Sequence, residues 1–258
     1  MLRELRLFLT AVQFFTRIPV PAWVGHSAQQ LAEAARYLPL VGVLVGALTA
    51  ATLWLAAQVL PLSLAVGLSM AAGILITGAF HEDGLSDFAD GFGGGHTKEK
   101  MLAIMKDSRV GAYGVIAIAL VLLLKYQALL ELCRMHTPQF AIAALIAAHA
   151  VSRLMAASIM LTQRYAREDD STRAKPAAQL SPASFAIALV TGAAALGLLI
   201  LSSPQATPVI TAVSAALLMR VYIGWRLQKR LGGYTGDCLG AVQQLSELAF
   251  YLGLLVVI

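Results

Sequence analysis

The chain has 258 residues, 59% of them hydrophobic and only 13% charged, with a net charge of +5 and a mean hydropathy of +0.75. That balance excludes a soluble domain with an ordinary polar surface and makes an integral membrane protein the starting class. Two cysteines, Cys133 and Cys238, exclude a disulfide framework.

The N-terminal stretch MLRELRLFLTAVQFFTRIPVP has an apolar run too short, and too broken by Gln13 and Arg17, for a signal peptide. Leu2, Leu5, Leu9 and Val12 share one helical face and Arg3, Arg6, Thr10, Gln13 and Arg17 another. The pattern predicts a helix lying in the membrane interface and ended by Pro19 and Pro21. A second helix is expected next, with Ser27 as N-cap and Gln30 closing a capping box, running toward Pro39.

Apolar stretches of about 20 residues can span a bilayer, and seven follow: 39–60, 62–80, 110–130, 138–162, 183–202, 208–225 and 239–258. Six are strong; the seventh is weakened by Gln243, Gln244, Ser246 and Glu247. Backbone groups cannot reach water in lipid, so the spans must be helices, and no alternation suggests a barrel. The fold class is therefore an all-α polytopic membrane protein. The expected organisation is one membrane domain over 1–258: interfacial helices over 1–37, then a bundle over 39–258 with acidic loops at 81–109 and 226–238.

Arg3, Arg6, Arg17 and Arg36 precede the first span, and Lys98, Lys100, Lys106 and Arg109 follow the second. Arg164, Arg167, Arg173 and Lys175 follow the fourth, and Arg220, Arg226, Lys229 and Arg230 end or follow the sixth. Only Arg134 falls on the other side, while Lys125 and Arg153 lie within spans. This bias puts the N-terminus and the long polar loops in the cytoplasm. It also explains the net positive charge as topology; no nucleic-acid patch is needed.

The loop HEDGLSDFADGFGGGHTKEK follows the second span directly. Asp83, Asp87 and Asp90 stand at i, i+4 and i+7, on one face of a helix that the glycines should end near Asp90. Aligned carboxylates suit a hard cation such as Mg²⁺, which takes one or two of them and leaves positions for phosphate oxygens. A solvated loop whose acids offset the neighbouring lysines has the same spacing, and spacing alone does not choose. His81 and Glu82 point off that face. Next comes KDSR, where Lys106, Ser108 and Arg109 could hold phosphate oxygens and Asp107 adds a carboxylate; a positive-inside anchor reads the same way.

Near the C-terminus, GGYTGDCLGAVQQLSE puts Asp237, Gly240, Gln244 and Glu247 on one helical face. Glu247 then falls inside a span, where an ionisable group faces the bundle interior. His149 and Arg153, at i and i+4, could join it there, or Arg153 could snorkel to the surface. Those three groups also permit a transporter reading.

Taken together, HEDGLSDFADGFGGG, IMKDSRVGAYGV and GGYTGDCLGA, with the earlier FFTRIPVP and YLPLVGVLVG, resemble the cobalamin synthase family, the adenosylcobinamide-GDP ribazoletransferases, in order over nearly the whole chain. The resemblance implies a multi-pass enzyme of the bacterial inner membrane, dependent on Mg²⁺. Its reaction joins α-ribazole or its 5′-phosphate to adenosylcobinamide-GDP. By motif, His81, Asp83, Asp87 and Asp90 match the first signature, Lys106 to Arg109 the second, and Gly236 and Asp237 the third.

Our assignment of roles takes Asp83, Asp87 and Asp90 as metal ligands and Asp87, Asp90, Asp107 and Asp237 as the catalytic acids. Lys106, Ser108 and Arg109 are taken to bind phosphate, with His81, Glu82 and Glu247 supporting the ligands from behind. The expected partners are the two substrates, the lipid bilayer, and either a second copy or neighbouring enzymes of nucleotide-loop assembly, with no nucleic acid. A CDP-alcohol phosphatidyltransferase is the adjacent alternative. Its pattern wants Ala-Arg where this chain has Asp87 and Phe88, and later aspartates where it has Met101 and Met105.

Overall fold

The computed structural model describes residues 2–167, 180–202 and 205–256. Arg173 and Lys175 of the basic loop, and positions 257 and 258 of the seventh stretch, lie outside the described residues. In chain order the helices are α1 (Leu2–Phe15), α2 (Ala28–Ala34), α3 (Leu38–Ala57), α4 (Leu62–Thr77), α5 (Phe80–Gly94) and α6 (Lys98–Ile104). There follow α7 (Ala112–Met135), α8 (Pro138–Thr162), α9 (Pro182–Ser202), α10 (Thr207–Leu231) and α11 (Gly236–Leu254).

Every expected span is helical, but the count of seven is not reached by length and apolarity. Ala28–Ala57, α7, α8, α9 and α10 qualify, and α4 with α5 adds a sixth only if that pair, bent by 87°, is one span. Alone, α4 has 16 residues, or about 24 Å of helix at 1.5 Å per residue, short of a hydrocarbon core of about 30 Å. α11 fails on composition because its polar side chains serve the interior: Gln243, Gln244, Ser246 and Glu247 are all buried. The most apolar window of α8 is 89% buried against 28% for α9 and α10. α8 and α11 are therefore the inner helices, with α3, α5, α7, α9 and α10 packed around them.

At the N-terminus the buried face of α1 is Leu7, Thr10, Ala11 and Val12, of which Ala11 and Val12 cluster with Ala34, Val41 and Val45. Leu2 and Leu5 of the expected apolar face stay exposed. Ser27 caps α2 by accepting from the Gln30 backbone N–H at 3.1 Å, but the capping box does not close. The Gln30 amide instead donates to Thr10 Oγ1 at 2.5 Å and Val24 O at 3.0 Å, which ties α2 to α1.

The bend after α4 is made by Gly78 and Ala79, both left-handed, with φ of 66° and 59°. A side chain at Gly78 would run into Arg17, whose backbone N–H donates to Ile76 O at 2.7 Å. Alanine in this region is uncommon and strained. Turned away from α4, α5 runs across the end of the bundle. Phe80 meets Phe14 and Phe15 of α1, and Gly84 meets the first turns of α11. Farther along, Arg230 at the end of α10 donates to Phe92 O and Gly95 O. Those carbonyl bonds and the packing of Gly91 on Met101 and Met105 carry α5 on to Gly94, past the end expected near Asp90.

Candidate active site at the crossing of α5 and α11

The crossing is closest at Gly84 and Gly240. A Cβ on Gly84 would come within 3.0 Å of Asp237 O and 3.3 Å of Gly240 Cα, and one on Gly240 within 3.0 Å of His81 O. Only glycine allows two backbones so near. The contact carries Asp83 and Asp87 of α5 to the first turn of α11, where Asp237 lies.

Asp87 shows what that juxtaposition costs. Burial first, then the charges of Asp237, Asp83 and Asp90, push its carboxyl up from 3.8 to about 7, against the pull of Arg167. Desolvation and like charge both disfavour the ionised form, and a bound cation would relieve both.

Asp237 has a partner that the sequence pattern did not single out. Arg167 Nη2 donates to Asp237 Oδ2 at 2.9 Å, and Thr235 Oγ1 donates to the same oxygen at 3.2 Å. Arg167 arrives because the strand-like pairing of Tyr165 with Tyr234 is fixed by Ala166 N–H to Tyr234 O at 2.8 Å and Tyr234 N–H to Arg164 O at 2.9 Å.

Asp90 is drawn elsewhere. Its two oxygens accept the N–H groups of Gly111 at 2.7 Å and Gly114 at 2.9 Å, capping α7 where anions are favoured. A side chain on Gly111 would collide with this carboxylate, and one on Gly114 with Ser86. The glycines of the RVGAYG motif thus make room for Asp90. Of the face Asp83, Asp87 and Asp90, the structure leaves the first two beside Asp237 and commits the third to α7.

Lys106 and Ser108 are exposed in the turn between α6 and α7. Arg109 grips Asp107, Nη2 to Oδ2 at 2.6 Å and Nε to Oδ1 at 3.0 Å, and holds the Asp107 carboxyl down at about 2. Among the described residues, no group of three His, Cys, Asp or Glu side chains is arranged to hold a metal ion unaided.

The three residues expected to stand behind the ligands belong to a different cluster, deeper in the bundle. Glu82 accepts from Gln244 Nε2 at 2.9 Å. Gln244 Oε1 in turn accepts from Lys125 Nζ at 2.7 Å. Lys125 pairs with Glu247 at 3.2 Å, and Gln243 Nε2 donates to Glu247 at 2.6 Å. Arg153 is 2% exposed and folds back onto His149 O at 3.0 Å, so it does not snorkel. His81 is buried and lines the same cavity as these groups. Ten residues separate Asp237 from Glu247 on α11, about 15 Å of helix, which removes Glu247 from the acid edge.

Comparison with known proteins agrees with this layout in extent. The Cobalamin-5-phosphate synthase family profile matches residues 7–255. An adenosylcobinamide-GDP ribazoletransferase of Shewanella frigidimarina (strain NCIMB 400) is 47% identical over 99% of this chain and 96% of its own. Proteins of the same name from Shewanella oneidensis and Shewanella baltica are 47% and 45% identical over 99% of this chain and 95% of theirs. No solved structure matches the chain.

Proposed function

The chain belongs to the cobalamin-5-phosphate synthase family, and from that premise we propose that it joins α-ribazole, or α-ribazole 5′-phosphate, to adenosylcobinamide-GDP. The products are adenosylcobalamin, or its 5′-phosphate, and GMP. Membership in this family displaces the transporter and CDP-alcohol phosphatidyltransferase readings.

The observation that carries the assignment of the site is the Gly84–Gly240 crossing, which brings Asp83, Asp87 and Asp237 together with Arg167 at one end of the bundle. In the reaction a ribose hydroxyl attacks the phosphorus that stays with the corrinoid. A new P–O bond forms, the bond to the bridging oxygen breaks, and GMP leaves with that electron pair. The hydroxyl proton goes to a carboxylate. Asp237 suits this step, because Arg167 and Thr235 engage its Oδ2 and leave Oδ1 to accept.

The donor set fits Mg²⁺: all oxygen, with two carboxylates, Asp83 and Asp87, beside each other. Bound there, the ion would neutralise charge on the diphosphate and on departing GMP. Arg167 stands ready as a cation for phosphate oxygens, and Arg109 would exchange Asp107 for a phosphate. The distribution of Lys and Arg supports placing this edge on the cytoplasmic side of the bacterial inner membrane, where a nucleotide-activated substrate is available.

The test is turnover by purified protein with adenosylcobinamide-GDP, α-ribazole and Mg²⁺, following GMP and adenosylcobalamin by mass spectrometry. Both products should appear and EDTA should abolish them. A folded protein that makes neither overturns the reading, and products that persist in EDTA overturn the metal.

A further inference from the structure

A pocket at the corner of α5, α6 and α10 has no role in the scheme above. Its volume is about 480 Å³, and it is lined by His96, Met101, Trp225, Arg226, Lys229 and Arg230. Along α5 the seven residues from Asp87 to Gly94 span about 10 Å, so the pocket stands off from the acid edge. Among the described residues its lining holds three Lys or Arg side chains and no carboxylate.

The cations are held by groups that do not neutralise them. Arg230 donates to Phe92 O at 2.9 Å and Gly95 O at 2.6 Å, and its guanidinium lies 5.3 Å from the Phe92 ring centroid. Arg226 lies 6.0 Å from that ring and 5.9 Å from the Tyr222 ring, and it donates to Tyr222 Oη at 3.0 Å. Lys229 Nζ stands 5.0 Å from the Trp225 ring centroid. Ring faces and carbonyls orient a cation and leave its charge in place. The three stand at i, i+3 and i+4, a spacing at which like charges repel on a helix. The helix dipole accounts for Lys229 and Arg230 in the last turn of α10, but not for Arg226 or for the hollow between them.

Toward the middle of α10, Leu218, Val221, Tyr222 and Trp225 are each more than half exposed. They recur at i, i+3, i+4 and i+7, one stripe on a helix long and apolar enough to span a membrane, so the stripe faces acyl chains. Eleven residues separate Leu218 from Lys229, about 16 Å of helix, close to half of a hydrocarbon core of about 30 Å. Trp225 and Tyr222 then sit at headgroup level, as such rings do.

We propose that the pocket binds the phosphodiester headgroup of an anionic phospholipid, with Arg226 and Lys229 on the phosphate and an acyl chain lying along Trp225, Val221 and Leu218. A basic pocket between spanning helices supplies what such a headgroup needs, and the stripe supplies what its chain needs. A free phosphate or nucleotide would engage the cations and leave the stripe without a part. The inference goes beyond the transferase reading and does not depend on it.

The test uses the full chain with Trp23→Phe and Trp54→Phe, which leaves Trp225 as its one tryptophan. Phosphatidylglycerol brominated on its acyl chains is titrated into phosphatidylcholine nanodiscs, and the quenching of Trp225 is compared with that by brominated phosphatidylcholine. Phosphatidylglycerol should quench at a mole fraction at least about fivefold lower. Arg226→Gln and Lys229→Gln, each shown folded by its melting curve, should each weaken that preference about fivefold. Lys100→Gln, which removes an exposed cation outside the lining, should change it less than about twofold. Equal quenching by the two lipids overturns the proposal, as does a loss of preference in Lys100→Gln as large as in the pocket variants. Relief of the quenching by inorganic phosphate or GMP at constant ionic strength assigns the pocket to a free anion and overturns the lipid.

Discussion

Two clusters of charge lie in this bundle, and they are built to opposite rules. In the deep cluster Lys125 meets Glu247 and Gln244, Gln244 meets Glu82, and Arg153 meets His149. Lys125 and Glu247 are matched inside the span region, where an unmatched charge is costly, and the other members are held by polar contacts. At the α5–α11 edge, Asp83, Asp87 and Asp237 lie close enough to repel one another, and Arg167 pairs with Asp237. The Lys125–Glu247 pairing is made within the protein alone. The second cluster carries repulsion that Arg167 relieves directly only at Asp237 and that a bound cation would relieve further, which marks it as the candidate site.

Four substitutions or conditions would break or sharpen this contrast. The largest effect is expected in the deep cluster: Glu247→Ala leaves Lys125 buried without its counter-charge and should cost about 3–5 kcal/mol of stability. Adding Lys125→Met should recover most of that loss, and denaturant titration in detergent reads both. If the single variant melts like wild type, the pairing has no structural role.

Next comes the edge itself. Asp87→Asn should reduce turnover about 10²–10³-fold, the size expected on losing a charge-stabilising group, with unfolding unchanged or shifted slightly upward. Wild-type rates over a full Mg²⁺ titration would remove Asp87 from the site. Asp90 divides the two rules: Asp90→Ala should lower stability by about 1 kcal/mol, as the loss of a helix cap does, and reduce turnover less than Asp87→Asn. Catalytic loss as severe as that of Asp87→Asn, without destabilisation, would return Asp90 to the ligand set.

The smallest effect is a pH dependence. The carboxyl of Asp87 is raised in the folded protein from 3.8 to about 7, so between those values the folded state holds more protons than the unfolded chain. Without divalent metal, stability from this group is present at pH 4 and lost as pH rises toward 7. Mg²⁺ favours the ionised form and should therefore raise the melting temperature more at pH 8 than at pH 6. Asp87→Asn should flatten both trends in thermal scans.

Much of this was legible in the sequence, and the failures are instructive. Apolar length found the helices, and the i, i+4 spacing of Asp83 and Asp87 found two of the three edge acids. Asp237 was visible from its glycines and its place at a span edge. Arg167 was invisible because 70 residues separate it from Asp237 and a backbone pairing, not a side-chain pattern, brings it in. Asp90 misled because helical periodicity says which face a residue occupies but not what packs there. The polar residues of α11 counted against a span, when they mark a helix surrounded by protein instead of lipid.

The pairing of Lys125 with Glu247 bears on how the chain is inserted. Lys125 lies on α7 and Glu247 on α11, and the ribosome delivers the first well before the second. For that interval a lysine disfavoured in the membrane centre by about 2.5–3.5 kcal/mol has no carboxylate to meet. Until α11 emerges, α7, apolar enough to span by itself, carries that cost or turns the Lys125 amine toward water. Completion of the bundle is thus tied to late synthesis, and a chain released before α11 keeps a charge that argues against its settling in the bilayer.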